Sequence, residues 1–368
     1  MEARWDKNRE KLKAILEKNN LDVLILTGKE NITYATGIRD PTEVLIISNK
    51  CQDYLLTSTL DYFRMLNRAP KDISLKAFYR PGEKGTEPPI SKSDLIEGGL
   101  LEAIKGISTQ CGNKISSDLL WSNYTVGKYL SDEIKVQDVS NDIIKLREIK
   151  DDWEVEHIIA SIDASEKALR QALDILDNNP TENDVEAAFY SSLMSQGAWA
   201  EAFPTIVGFY ENTALPHYNP GNVRLQKPGP VLIDFGANMN GYLSDMTRSL
   251  WYGEGGKDYK KLIEIVADAQ SNAIDIIKPG VEAWEPDKAA RLVFDKENIT
   301  RYFNHGLGHG VGVEIHEAPY LRPNSKDVLE PVEPGIYYPG LYGVRIEDMV
   351  YITKNKARLI TKFSRILF

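Results

Sequence analysis

The chain holds five histidines, and four of them fall in two short segments. One is Leu215-Pro-His217-Tyr218; the other runs His305-Gly-Leu-Gly-His309-Gly-Val-Gly-Val-Glu-Ile-His316-Glu. A core histidine is normally isolated. Three within twelve residues, interleaved with four glycines, point instead to a reactive or ligating cluster. His305 and His309 would share a helix face, but each glycine costs a helix up to about 1 kcal/mol relative to alanine. The segment is therefore read as non-helical backbone that something approaches closely. His157 lies among charges in a long helical pattern and reads as a surface residue.

The acids carry a second signal. Val231-Leu-Ile-Asp234-Phe-Gly reads as an apolar strand ending on an acid, Asn238-Met-Asn-Gly241 as a turn, and Tyr242–Trp251 as a second strand. Two registers are open. A Met239-Asn240 loop makes opposite residue numbers sum to 479 and sets Asp234 directly across from Asp245; an Asn240-Gly241 loop makes them diagonal neighbours on one sheet face. Like charges facing each other across strands repel, and two buried carboxylates that close require a cation or a shared proton. Towards the C-terminus, Glu333-Pro-Gly-Ile-Tyr337 and Gly343-Val-Arg345-Ile-Glu347-Asp348 flank a turn at Pro339-Gly340, so a hairpin brings Glu333 and Glu347 together. Four carboxylates match two divalent cations with a bridging hydroxide. With one neutral histidine they form a hard, oxygen-rich set suited to Mn²⁺ or Co²⁺ rather than to a structural Zn²⁺.

These residues need elements to hold them. Leu21–Thr27, Glu43–Ser48, Tyr54–Thr57 and Ile73–Tyr79 read as short buried strands, with helical patterns at Asp61–Arg68 and Ser122–Asp132. That alternation predicts an α/β domain over residues 1–139, without a phosphate loop or an acid/histidine cluster. Ser140–Ile149 reads as the hinge into a second domain, 140–368. There a long helix is expected over Asp151–Leu176, then a break at Pro180 and a helix through about Met194 with Thr181 and Asp184 at its cap. After Pro204 strands alternate with helices at Asp258–Ile277 and Glu285–Asn298, an α+β texture.

Length and composition bound the function. The chain has 368 residues, suiting two domains, and 42% hydrophobic residues, ample for packed cores. Its net charge of −10, without basic blocks, argues against nucleic acid and anionic membranes. No apolar run approaches the roughly 18 residues of a membrane helix. Met1 to Asn20 reads as a charged amphipathic helix and not a signal peptide, so a cytoplasmic location is expected. Cys51 and Cys111, without metal or redox spacing, read as two reduced thiols.

Taken together, the histidine segments, Asp234-Phe-Gly through Ser244-Asp245-Met-Thr-Arg, and the two glutamate segments occur in one order. In that order they resemble the pita-bread metallopeptidases: methionine aminopeptidase, aminopeptidase P and prolidase. The resemblance implies a pita-bread catalytic domain with metal ligands Asp234, Asp245, His309, Glu333 and Glu347. It implies non-ligand hydrogen-bond donors at His217 and His316, Glu333 also as proton shuttle, His305 in the substrate pocket, and Arg345 orienting a ligand acid and Tyr337. The N-terminal part, with Asn31-Ile-Thr-Tyr34-Ala-Thr-Gly37, looks like the smaller domain of creatinase, prolidase and aminopeptidase P. Methionine aminopeptidases generally lack that domain, and creatinase lacks the metal set. The expectation is a homodimeric Xaa-Pro dipeptidase acting on short proline-containing peptides, with Arg322 as the clamp on the dipeptide carboxylate. Its rivals are an Xaa-Pro aminopeptidase, a non-catalytic binding protein on the same scaffold, and a metal-free creatinase-like hydrolase. Two departures stand out: bulky Phe209-Tyr210 before the His217 segment, expected to narrow or reshape the pocket for the first residue, and Pro331 two positions before Glu333.

Overall fold

The structure is a computed structural model that describes residues 4–80, 82, 89–325, 335–338, 341–353 and 355–367. The chain divides into two compact units, Met1–Ile149 and Lys150–Phe368. Ser140–Glu148, expected within a hinge, is a helix of the first unit.

The first unit carries a seven-stranded sheet. Its strands are β1 Val23–Leu26, β2 Val44–Ser48, β3 Asp53–Ser58, β4 Ile73–Tyr79, β5 Leu95–Glu97, β6 Ile115–Ser117 and β7 Gln137–Asp138, in the order β5-β4-β3-β2-β1-β6-β7. Pairing is antiparallel between β1, β2 and β3 and parallel elsewhere. The central strands β1 and β2 are buried along their whole length, which is why they read as continuous apolar runs. Asp118 holds the entry to the helix Lys29–Thr36. Its carboxylate accepts from the amides of Thr27 and Gly28 and from Asn31 Nδ2 at 2.8–3.0 Å. Burial nonetheless pushes that carboxyl up from its ordinary range.

One expectation is overturned here. Cys51, in the β2–β3 turn, and Cys111, at the end of the helix Leu100–Cys111, are joined in a disulfide and are not two reduced thiols. The fold brings together residues 60 apart, their Cα atoms 5.5 Å from each other.

The second unit opens with the helix Asp152–Asp174, started by a capping box in which Glu154 Oε2 accepts from the Asp151 amide at 2.8 Å. His157, expected at the surface, is buried in this helix. Its Nδ1 bonds the Trp153 carbonyl at 2.8 Å and its ring packs on Trp153 and Tyr242. The next helix, Glu182–Ser195, is capped reciprocally by Thr181 and Asp184.

Two sheets and two hairpins bear on the site. A first sheet joins β9 Ile206–Phe209, β10 Gly229–Phe235 and β13 Met246–Tyr252; a second joins β8 Ala200–Glu201, β11 Ala237–Met239 and β12 Tyr242–Leu243. Two hairpins follow, β14 Gly308–Gly310 with β15 Glu317–Leu321 and β16 Gly335–Tyr338 with β17 Tyr342–Arg345. The helices Lys257–Ile276 and Trp284–Lys296 pack with β15 and β17 residues around Ile263, Val266, Phe294, Leu321 and Val344, forming the unit's core. Among the described residues no helix is long and apolar enough to cross a membrane.

Candidate metal centre

The aspartate hairpin adopts the second of the two registers open in the sequence. Asp234 lies opposite Thr247, Phe235 opposite Met246 and Met239 opposite Tyr242, so opposite numbers sum to 481. Asn240 and Gly241 form the loop with positive φ of 56° and 88°, the geometry a two-residue hairpin turn requires. The directly opposed arrangement of Asp234 and Asp245 is thereby corrected to diagonal neighbours. The expected single strand Tyr242–Trp251 is split at Ser244 and Asp245. At that break the chains pack so closely that a Cβ on Gly236 would lie 2.0 Å from the Ser244 carbonyl.

Asp245 leaves the strand there, and its carboxylate meets Asp234 and Glu347. All three are buried, with one oxygen of each within 4.8 Å of the others. Glu347 arrives from beyond β17 through a bridge to Thr247, whose hydroxyl donates to its Oε2. His309 comes from the glycine-rich hairpin. A bulge at His309–Gly310 interrupts the β14–β15 register, and Cβ atoms on Gly306, Gly310 or Gly312 would meet Leu321 O, Ala318 O or the Glu317 carboxylate at 2.8, 2.4 and 2.5 Å. These three glycines therefore serve close backbone approach. His309 Nδ1–H donates to the Gly310 carbonyl at 2.9 Å, which leaves the Nε2 lone pair facing Asp245 Oδ2 at 3.7 Å.

Arg345 is the cation of the cluster. Its Nη2 donates to Asp234 Oδ2 at 2.6 Å, its Nε to Thr247 Oγ1 at 3.0 Å with Glu347 Oε1 at 3.3 Å, and its Nη1 to the Pro216 carbonyl at 3.2 Å. Among the described residues three buried carboxylates meet beside one guanidinium, a set of charges that a divalent ion would balance. The donors are carboxylate oxygens and one imidazole nitrogen, so the chemistry of the set fits a hard divalent metal.

The cluster lies in the wall of a cavity of about 520 Å³. His217, His305 and His316 line it, with Phe203, Ile206 and Ile315 as apolar wall. His217 and His316 are exposed to the opening, and the His316 ring sits edge-on to His309 at 4.3 Å. His305 is partly buried; the carbonyls before and at it, Phe303 and His305, accept from Arg291 at 2.9 and 2.7 Å. Tyr218 lines the rim, and burial together with its bond to Glu182 pushes its hydroxyl up to about 12, so it stays a donor at any working pH.

Other expected residues fall elsewhere. Glu333 and Pro331 lie outside the described residues, as does the Tyr337 side chain; the described pairs of the β16–β17 hairpin, Gly335 with Arg345 through Tyr338 with Tyr342, are centred on residue 340. Arg322 is exposed, stacked on Tyr320 at 5.4 Å, and is not among the cavity-lining residues, although a Cβ on Gly306, next to His305, would lie 3.0 Å from its Cβ. Phe209 and Tyr210 are not among the described residues that line the cavity. Phe209 is fully buried in β9, and the Tyr210 hydroxyl accepts from the amides of Gln226 and Lys227.

The sequence reading missed Thr247, which bridges Arg345 and Glu347, and the buried ion pair of Lys150 with Glu317 at 3.3 Å beside His316. It also missed a hub in which fully buried Arg248 bonds Asp348 and the carbonyls of Thr247, Glu347, Phe363 and Ser364. Thr247 was within reach, since the Asn240-Gly241 register puts it opposite Asp234.

A buried carboxylate–imidazole cluster open to a cavity, in a unit that follows a separate α/β unit, defines a metal-dependent hydrolase. Residues 156–354 match Metallopeptidase family M24, and residues 8–149 match the Creatinase/Prolidase N-terminal domain. The chain belongs to metallopeptidase family M24. It is similar to the Xaa-Pro dipeptidase of Pyrococcus horikoshii, 30% identical over 364 residues that cover 97% of this chain and 98% of that one. Among solved structures, a prolidase from Thermococcus sibiricus superposes with a TM-score of 0.84 at 26% identity, covering 100% of both chains. The X-Pro aminopeptidase from Thermotoga maritima also reaches 0.84, at 25% identity over 98% of this chain and 99% of that one. The family is one of metal-dependent peptidases, and divalent metal ions are its cofactors.

Proposed function

We propose that the chain is an Xaa-Pro dipeptidase, hydrolysing the amide between an N-terminal residue and a following proline. The observation that carries this is the convergence of Asp234, Asp245 and Glu347 beside His309, in a chain similar over nearly its whole length to a named Xaa-Pro dipeptidase. Two divalent ions, Mn²⁺ or Co²⁺, would be held by Asp234, Asp245, His309, Glu347 and Glu333, the last joining the set by resemblance. Such a pair would supply a water acidic enough to attack near neutral pH and a Lewis acid for the scissile carbonyl. Arg345 and Thr247 fix the orientation of Asp234 and Glu347. His217 and His316, which border the same cavity, donate to the carbonyl oxygen as it gains negative charge. Glu333 passes a proton to the leaving proline nitrogen. That nitrogen belongs to a tertiary amide without an N–H, so a site that needed an N–H from its substrate would reject it.

Arg322, beside the loop of His305, is proposed as the clamp on the free carboxylate of the dipeptide. The second reading, an Xaa-Pro aminopeptidase, is favoured by the equal superposition on the Thermotoga maritima enzyme. A cytoplasmic location and a homodimer are proposed with either, on the family resemblance. Product analysis on Ala-Pro beside Ala-Pro-Ala tests the choice: hydrolysis of the dipeptide with the tripeptide left intact is expected. Efficient release of alanine from Ala-Pro-Ala would replace the dipeptidase with the aminopeptidase.

A further inference from the structure

The loop that carries His217 has no regular structure between the short turn at Tyr210–Ala214 and β10, yet its backbone is tightly held. The group that holds it is Glu182, the first residue of the helix Glu182–Ser195. Its side chain is fully buried and receives four donors. Oε1 accepts from the Phe209 amide at 2.8 Å and Asn212 Nδ2 at 2.9 Å; Oε2 accepts from the Tyr218 hydroxyl at 2.9 Å and the Gly221 amide at 3.0 Å. The Asn212 amide reaches the Tyr218 hydroxyl as well, at 2.9 Å. These donors bracket His217 on both sides in sequence, and Tyr218 is its immediate neighbour. Arg345 holds the same loop from the metal side through the Pro216 carbonyl. A buried carboxylate with every lone-pair direction used is rigid, because any movement of the loop would strand a charge away from its donors. Glu182 also stands in the first turn of its helix, where the helix dipole favours a negative charge.

We propose that Glu182 is a positioning residue of catalysis: its carboxylate fixes the 209–221 loop so that the His217 imidazole stands at the cavity in reacting geometry. This rests on reading His217 as a donor to the substrate carbonyl. Glu182 touches neither substrate nor metal, so its effect passes through the loop. A glutamine of the same shape turns one acceptor oxygen into an amide that faces two donors, whichever way it is placed.

The test is a double-mutant cycle on the metal-loaded enzyme, with Glu182→Gln and His217→Ala, alone and together, measured as kcat, KM and bound metal per chain. Losing an aligned donor costs roughly 10²–10³ in kcat, and Glu182→Gln is expected to lose about 10- to 100-fold of that with the metal content unchanged. In the His217→Ala background the same substitution should cost less than about threefold, because the group it positions is gone. Equal losses in both backgrounds, or metal lost in step with activity, would overturn the proposal. Full activity of His217→Ala would sink the reading of His217 and leave Glu182 to a second readout: the His217 ring resonances, which Glu182→Gln should shift and broaden. Unchanged resonances reject the positioning role. If Glu182→Gln does not fold, Tyr218→Phe removes one donor and keeps the carboxylate. It should show the same non-additivity with His217→Ala at smaller amplitude, and additivity there is equally fatal.

Discussion

Arg345→Met removes a guanidinium while keeping most of the apolar stem, and the structure sets the size of the effect. Arg345, Asp234 and Glu347 are each at least nine-tenths buried, and the guanidinium meets the two carboxylates at 2.6 and 3.3 Å. Two unit charges centred about 4 Å apart attract by about 4 kcal/mol at an effective dielectric of about 20. Breaking a buried pair by removing one partner costs about 3–5 kcal/mol, mostly because the other charge is stranded. The two estimates agree, so metal-free protein should lose about that much stability. For a unit of this size each kcal/mol is worth about 2–4 °C in Tm, giving a fall of about 6–20 °C. Bound divalent ions place positive charge against the same oxygens, so saturating Mn²⁺ should reduce the difference to less than half. The assay is thermal unfolding of chelator-treated protein, repeated with metal restored. A metal-free Tm within about 2 °C of the unsubstituted protein, or an equal fall with and without metal, would refute the assignment of Arg345 as counter-charge to the cluster. Arg345→Lys should rescue only in part, since an ammonium keeps the charge but not the fork that spans Asp234, Thr247 and Pro216.

Chelation should abolish peptidase activity and Mn²⁺ or Co²⁺ restore it, while Asp245→Asn lowers both metal occupancy and rate; full activity in that variant removes Asp245 from the centre. His217→Ala and His316→Ala should each keep their metals and lose roughly 10²–10³ in kcat, and metal content falling with activity would make either one a ligand. Cys51→Ser opens a cross-link spanning 60 residues, which the chain-entropy model values at about 4 kcal/mol. Denaturant unfolding of the first unit measures it, and two freely titrating thiols in protein purified without reductant would show that the link does not form.

The acids of the centre were legible because strand chemistry announces itself locally. An apolar run ends on Asp234 and a second strand pattern carries Asp245, with Asn240-Gly241 between them. The dipeptide even held the answer to the register, since both residues tolerate the left-handed backbone that the turn requires. β5, β6 and β7 went unseen because strands of two or three residues show no alternation. His157 was misplaced because charge neighbours in sequence say little about which face of a helix is covered; Trp153, four residues earlier, lies on its side and points inward. Cys51 and Cys111 sit on different elements, and only the packing of the helix Leu100–Cys111 against the sheet brings them together. Glu182 gave no signal beyond an acid at a helix start. Its four partners are spread over Phe209 to Gly221 and are assembled only by the fold.

The centre and the His217 loop are therefore not independent parts. One guanidinium pairs with Asp234 and Glu347 and at the same time bonds the carbonyl of Pro216, the residue before His217. From the opposite side Glu182 gathers the amides and the hydroxyl that flank that histidine. A substitution at Arg345 must consequently disturb two things, the charge of the cluster and the anchoring of the loop, whereas one at Glu182 disturbs the loop alone. The two residues should thus separate in their kinetics even where both lower kcat. Arg345 variants should gain ground as metal is raised, because added positive charge substitutes for the lost guanidinium. Glu182 variants should stay impaired at any metal concentration, because no ion restores the four hydrogen bonds that hold His217 in place.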